Sequence, residues 1–555
     1  MTEPLPAPPR ARTRRDLLAT QPSPQMRRPG ARTVRTRTAP VPSLAVLALG
    51  RAGFGARPGD IAAFQALGAT DAQRLAAWVD LQLFPNVNDD PLYLPRLVAA
   101  GYNTLWRTSS QLWQTNFNAA TWEERIRPSR EVLLVTFLRA VHSKWQLWEV
   151  MSGFWHDHFN VYAYEYTSES LFPALDNVLR QHAFGNFRQM LEAVAKSTPM
   201  LYYLDNYTSS RGGPNENFSR ELFELHTLGA ENYWGVIPQS QVPRDDQGRP
   251  LGYVDADIYE ATRCFTGWTY GYDDSWQQIP DTGEFWYHEA WHDPYPKRVL
   301  GLDLNAYQPA QKDGLDVLDA LASHPGTGRY LARKLCRHLV SDQPPTALVD
   351  QVAAQFTALW QAPDQLRQVV RTILLSPEFA ASWGQKVRRP FDLVVAAMRA
   401  SEMEFPFKVG DGDTDTFLWR YGQTGHTPFA WRPPDGYSDL MADWLSTEPR
   451  LHCWRMANWL VEVTDDLGHF RLDAIGKTLA AIPVGQRSAE RIVDHWIGRV
   501  FGRSLDPGDR EVLVEFMAAG YNPTFNLPLD ADEDTQDRLR SLVALIFNMP
   551  DFVWR

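Results

Sequence analysis

Apolar residues recur at three- and four-residue intervals through most of this 555-residue chain, and almost nowhere do they alternate. No other feature constrains the fold as strongly. A helix buries one stripe with a period of about 3.6 residues, whereas a half-buried strand needs strict alternation. Ile61, Phe64 and Leu67 mark one stripe; Leu75, Trp78, Val79, Leu81 and Leu83 mark the next, with Asp71 placed to cap it. Residues 131–150 read as a strongly apolar helix running into Phe154-Trp155-His156-Asp157-His158-Phe159. Residues 184–204 read as another, broken at Pro199, and 315–340 and 348–375 continue the pattern. The expected class is mainly α: a large multi-helix body with long irregular loops and at most a small β element.

The loops fall at 235–252, 270–314 and 404–440, all rich in Gly, Pro and Asp. Structureless stretches of that length are uncommon unless they build a site. Three regions are expected: an Arg/Pro-rich disordered leader over 1–40, a helical main domain over 41–400 carrying the polar motifs, and a C-terminal helical region over 401–555 packed on it. One echo links the last two. Ser376-Pro377-Glu378-Phe379 and Met549-Pro550-Asp551-Phe552 each follow an apolar run, as if a helix stopped the same way twice.

Charge separates the leader from the body. Residues 1–40 hold nine Arg, no Lys and two acids, so they carry +7 of a net −11 and leave −18 on the remainder. A body so acidic lacks the basic patch that nucleic acid requires, and none is expected as a partner. Arg14-Arg15-Asp16-Leu17-Leu18 looks like the start of a twin-arginine export signal, but no apolar segment follows closely. The chain is thus either cytoplasmic or exported through an atypical leader. The first apolar run, Leu44 to Leu49, is too short to span a bilayer, and no transmembrane helix is expected. Three distant cysteines, Cys264, Cys336 and Cys453, form no CxxC pair and exclude a disulfide scaffold.

The polar residues crowd into a few places. Pro214 to Gly229 reads as one amphipathic helix, with Pro214 at its start and Gly229 at its end. Phe218, Leu222 and Leu225 form its apolar stripe, Glu216 can pair with Arg220, and Glu221 and Glu224 share a face with no lysine nearby. Two adjacent carboxylates bind a cation, form an acid/base pair, or neutralise buried arginines. His156 and His158 diverge by about 200° if both are helical, so they reach one ion only where the helix has ended. His288-Glu289-Ala290-Trp291-His292 matches the HExxH metalloprotease pattern read literally, but that pattern needs a helix. Gly283 and Pro294 leave room for about two and a half turns. Gly410-Asp411-Gly412-Asp413-Thr414-Asp415 is acidic enough for calcium but lacks the EF-hand's terminal Glu.

Several segments together resemble one family. They are Leu49-Gly50-Arg51-Ala52-Gly53-Phe54-Gly55, the 154–159 segment, Leu204-Asp205-Asn206, and Asn215-Glu216-Asn217-Phe218-Ser219-Arg220-Glu221-Leu222. Thr266-Gly267-Trp268, His292-Asp293 with Lys297, His324-Pro325 with Lys334-Leu335, and Pro433-Pro434-Asp435-Gly436-Tyr437 continue the series. In order over roughly 44–555, they look like the large bacterial family known as domain of unknown function 1800. The resemblance supports motif boundaries and implies no reaction. Members often look exported; this chain departs in its leader, and in Asp157, where the family more often has Asn.

The expected site gathers 154–160, 204–224 and 288–293 in a metal-assisted hydrolase or oxidoreductase. His156, His158, His292 and Asp293 would bind a divalent metal ion, which would activate water or a substrate oxygen. Asp205, Glu216, Glu221 and Glu224 would supply further ligands or the general base. Two other readings compete. One is a metal-free, glycan-directed hydrolase or binding protein using a carboxylate pair and the platforms offered by 21 tryptophans. The other is a non-catalytic scaffold with buried polar networks. The substrate is open, as a glycan or another small molecule.

Overall fold

A computed structural model describes residues 41–555. The expectations for the leader, its disorder and its twin-arginine-like start, lie outside the described residues. Residues 41–555 gather in one compact unit. The chain is mainly α, and its described strands make two small two-stranded antiparallel sheets. Both sheets are built at or within the 270–314 loop region: Trp268–Tyr270, at its start, pairs with Phe285–Tyr287, and Lys297–Val299 with Leu302–Leu304. Among the described residues no helix is long and apolar enough to cross a membrane.

Local chemistry moves several expected boundaries. Thr70, not Asp71, caps the Asp71–Gln82 helix, in a reciprocal capping box with Gln73. The long apolar segment is two helices, Trp122–His142 and Gln146–His158. Between them Ser143 Oγ accepts from the Trp145 N–H at 3.0 Å and donates to Asp90 at 2.6 Å, giving the chain a local alternative to helix. The 184–204 segment is also two helices, Phe187–Ala195 and Thr198–Tyr203, with Pro199 inside the first turn of the second. Asp411 caps a helix over Gly412–Gly422, Asp413 pairs with Arg471, and Asp415 with Arg130 at 2.8 Å. The acidic loop is thus a helix start whose carboxylates face arginines. The echoed endings do match: Pro377–Ala380 and Pro550–Val553 are each a single Pro-led turn.

One large apolar core joins these helices, with Trp155, Trp268 and Trp496 wholly buried in it. Buried arginines tie its elements through carbonyl groups. Arg399, on the Pro390–Ser401 helix, donates to the Gly55 carbonyl at 2.8 Å, the Val141 carbonyl at 2.9 Å and Asp60 at 3.2 Å. Arg51 donates to the Leu339 and Ser382 carbonyls at 3.3 and 3.1 Å. A guanidinium carries five donors in a fixed fork, so one such side chain satisfies several loop ends at once. The Leu49 to Gly55 motif is thereby a structural junction.

Two packings position the site. The Pro325–Leu339 helix lies along Thr346–Ala358, and Trp122–His142 along Tyr166–His182. The end of Gln146–His158 meets both layers, so its last turn faces the interior from two sides.

Candidate functional site

His156, Asp157 and His158 occupy the last turn of a helix that continues through His158. Successive helical residues point about 100° apart, so the three side chains enter three different surroundings. The His156 ring hydrogen-bonds Asp176 at 3.0 Å and packs against Phe172 and Phe429. Burial disfavours charge on Asp176. The His156 hydrogen bond and the charges of Arg139 and Arg180 outweigh it, so the carboxyl lies well below the ordinary range. Asp157 accepts from Arg389 at 2.7 Å.

His158 is the hub. Its Nε2–H donates to the His226 carbonyl at 3.1 Å, which leaves Nδ1 as an acceptor for Lys334 Nζ at 3.0 Å. Burial, then the Lys334 charge, keeps the ring neutral by holding its pKa far below the ordinary value. The same two causes lower His226 to about 3.

The 214–229 stretch delivers that carbonyl, but not as the single helix its pattern predicts. Its α-helical part is Asn217–Glu221, and Leu222–His226 winds as a π-helix. Thr227 Oγ1 donates back to the Leu222 carbonyl at 2.6 Å, and the Gly229 N–H to the Phe223 carbonyl at 3.0 Å. The wider turn buries Leu222, Phe223 and His226 together, and single π turns of this kind recur at functional sites. No periodicity in the sequence announces it.

Around His158 and Lys334 lies a cavity of about 280 Å³, walled by Arg337, His338, Asp435 and Asp439, with Phe154 and Trp431 as apolar faces. Lys334 and Arg337 are three residues apart on the Pro325–Leu339 helix and so share its cavity face. Lys334 is half-buried, and Tyr330 lies 5.5 Å beneath its ammonium. Burial pushes its pKa down to about 8; Asp157 and Asp439 oppose that shift, while Arg337 adds to it. Asp439 is held well below the ordinary carboxylate range: burial opposes its charge, but His338 and Lys386 overcome that.

The wall closes on a backbone contact. Gly436 has φ +74°, and a Cβ there would lie 1.9 Å from the Asp157 carbonyl oxygen. The Pro433 to Tyr437 motif therefore brings Asp435 beside the helix end that carries His158. A smaller cavity of about 70 Å³ adjoins this one and shares Asp157, His338 and Tyr437 with it.

The other expected residues are placed elsewhere. His292 sits between the Thr266 carbonyl at 3.0 Å and Asp313 at 3.2 Å, and Asp313 also takes Lys297 at 2.6 Å. Asp293 spends both oxygens on Arg263, at 2.8 and 3.0 Å. This third network braces the two hairpins against the Asp255–Cys264 helix. Residues Glu289–Trp291 form one 3₁₀ turn, so His288 and His292 do not share the α-helical face that HExxH requires, and His288 bonds the Gln277 carbonyl at 2.6 Å.

Asp205 is exposed at φ +61° and accepts from Asn217 at 3.3 Å; Glu216 is exposed and pairs with Arg220 at 3.2 Å. Glu221 and Glu224 are half-buried, and neither meets an arginine or lysine among the described residues within ion-pair distance. Burial, then the charges of Glu224 and Asp435, raises Glu221.

His156, His158, His292 and Asp293 thus belong to three networks. Among the described residues, no group of three or more His, Cys, Asp or Glu side chains is placed to hold a metal ion. The donor set says the same: the one free lone pair of His158 faces an ammonium, and both Asp293 oxygens face a guanidinium. The sequence reading did not single out Lys334, Arg337 or Asp435 as site residues, although all three line the cavity around His158. Lys334 and Asp435 lie inside segments of the family pattern, but nothing in the sequence places either beside His158.

A family model described as "Protein of unknown function (DUF1800)" matches residues 47–554. No curated protein and no solved structure matches the chain.

Proposed function

The chain belongs to the DUF1800 family, and from that premise we propose that it is an enzyme whose reacting group is the Lys334 amine, working without a metal on a small polar molecule in the 280 Å³ cavity. The observation that carries this reading is the pairing of Lys334 Nζ with His158 Nδ1 at 3.0 Å in place of a carboxylate. A lysine kept for structure takes a carboxylate partner. Six of the eight lysines have one within 4.0 Å, at positions 144, 196, 297, 312, 386 and 477. Lys408 is exposed. Lys334 alone is enclosed, lines a cavity and is held by a neutral imidazole.

His158 aims the amine and does not accept its proton, because burial keeps that ring far less basic than the amine. An amine near 8 exchanges a proton in the neutral range and is partly the free base there, as a general base or nucleophile requires. The cavity lies below the roughly 300–1,000 Å³ typical of sites for drug-sized ligands, which points to a small substrate.

The test is lysine labelling with dinitrofluorobenzene across a pH series, read residue by residue by mass spectrometry. Lys334 is expected to titrate near 8. A Lys334 midpoint matching that of exposed Lys408 would end the proposal.

A further inference from the structure

Lys334 is not the only uncommitted cation in the cavity. Arg337 lies one helical turn further along the same helix, lines the same cavity, and among the described residues has no carboxylate within ion-pair distance. Its one protein hydrogen bond runs from Nε to the Asp342 carbonyl at 3.3 Å, so its two terminal nitrogens are unengaged. The neighbouring charges are spent: Asp157 on Arg389, and Asp439 on His338 and Lys386. Asp435 remains, exposed at the cavity wall, with one oxygen taking the Trp431 indole N–H at 2.7 Å. The cavity thus presents a fork of free N–H donors beside an amine that His158 holds in place, with one carboxylate at the edge. A planar guanidinium of this kind pairs two N–H groups with the two oxygens of a carboxylate.

We infer that the substrate is a small 2-oxo acid, its carboxylate gripped by Arg337 and its carbonyl carbon captured by Lys334 as an imine. This rests on the reading of Lys334 as the reacting group. Once the ammonium has released a proton to water, the Nζ lone pair forms a bond to the carbonyl carbon. The C=O π pair moves to oxygen, which takes up a proton while the nitrogen gives one up, leaving a carbinolamine. Its C–O bond then breaks, the hydroxyl leaves with a further proton as water, and the nitrogen lone pair closes the C=N bond. Lysine ammonium and oxo acid give the protonated imine and water, with no oxidant or reductant. Among the described residues Asp435 is the one wall carboxylate with no cation within ion-pair distance, and it is placed to carry these protons between the cavity and solvent. The ring of His158 keeps Nζ directed throughout.

The experiment uses the full chain, with sodium cyanoborohydride to reduce any imine, and compares two probes. Glyoxylate has the carboxylate; acetaldehyde is its two-carbon counterpart without one. Expected is a carboxymethyl-lysine adduct at Lys334, formed roughly tenfold faster than at any other lysine, given the larger free-amine fraction of a depressed lysine at neutral pH. In Arg337→Gln the glyoxylate rate at Lys334 should fall roughly tenfold more than the acetaldehyde rate, which reports only the loss of the Arg337 charge that helps hold the amine low, since one charge-assisted fork has been removed. Equal glyoxylate labelling in wild type and Arg337→Gln overturns the oxo-acid assignment. If Lys334 titrates near 8 with dinitrofluorobenzene yet neither carbonyl probe is trapped on it, the imine fails and the proposed function stands. If Lys334 titrates like an exposed lysine, both fail. Circular dichroism of Arg337→Gln checks that the fold is retained.

Discussion

Replacing Lys334 with Met should stabilise the protein at neutral pH, against the usual direction for a half-buried side chain. The group is charged in the unfolded chain below 10.5 and in the folded chain only below about 8. Below pH 8 both states hold the proton, and the folded state bears the whole cost of an enclosed ammonium. Between 8 and 10.5 the unfolded state binds a proton that the folded state does not, so stability rises with pH. Above 10.5 the cost is gone. At about 1.4 kcal/mol per pKa unit the gap amounts to about 3 kcal/mol. The cavity leaves part of the ammonium solvated, and the variant strands the His158 Nδ1 acceptor at a cost of about 1 kcal/mol. Methionine keeps most of the apolar stem over Tyr330. The net expectation at pH 7 is a gain of about 1–2 kcal/mol. With about 2.1 cal/mol/K of unfolding entropy per residue, a chain of this size loses roughly 1 kcal/mol per kelvin, so the gain reads as about 1–2 °C in Tm. Urea denaturation at neutral pH and near pH 10 gives the sharper measure, because all other groups titrate alike in the two proteins. Wild type should gain stability relative to the variant as pH rises. A variant less stable at pH 7 by about 2 kcal/mol or more, with the same pH slope as wild type, would show that Lys334 is a stabilising structural lysine.

Two other substitutions probe the cavity's frame. Arg389→Met removes the partner of Asp157, 2.7 Å away, and one of two cations beside buried Asp392. Asp157 is half-buried and Asp392 keeps Arg555 at 3.0 Å, so the loss should be about 1–3 kcal/mol, measured by urea denaturation. Gly436→Ala puts a methyl 1.9 Å from the Asp157 carbonyl in a left-handed conformation. The wall must move, so stability should fall by more than about 1 kcal/mol, and the labelling midpoint of Lys334 should climb toward 10.5 as water enters.

The location of Lys334 in a helix was legible in the sequence, and its surroundings were not. Helical spacing over 315–340 put it in a helix, and Lys334-Leu335 belongs to the family pattern. The partner that gives it meaning is 176 residues away. The carboxylates show the same limit. Glu221 and Glu224 were legible as an acidic pair without lysines, and among the described residues no cation lies within ion-pair distance of either; yet Asp435, whose charge also raises Glu221, comes from a distant loop. His292 and Asp293 looked like ligands because both residue types bind metals. Arg263, 30 residues earlier, takes both oxygens of Asp293 and gives it another role.

What the sequence determined by itself is what depends on near neighbours. The 3.6-residue period specified a mainly α chain, because each helix registers its own apolar stripe. Helical geometry likewise required His156 and His158 to point apart once the helix was known to pass through both. Tertiary structure alone decided which polar groups meet. The π turn at Leu222–His226 supplies a carbonyl, the helix ending at His158 a ring, Pro325–Leu339 an amine, and the Gly436 turn a wall. Each is ordinary in its own segment. Packing sets the carbonyl and the amine each about 3 Å from the ring, and packing depends on how whole helical faces fit, which no local pattern encodes.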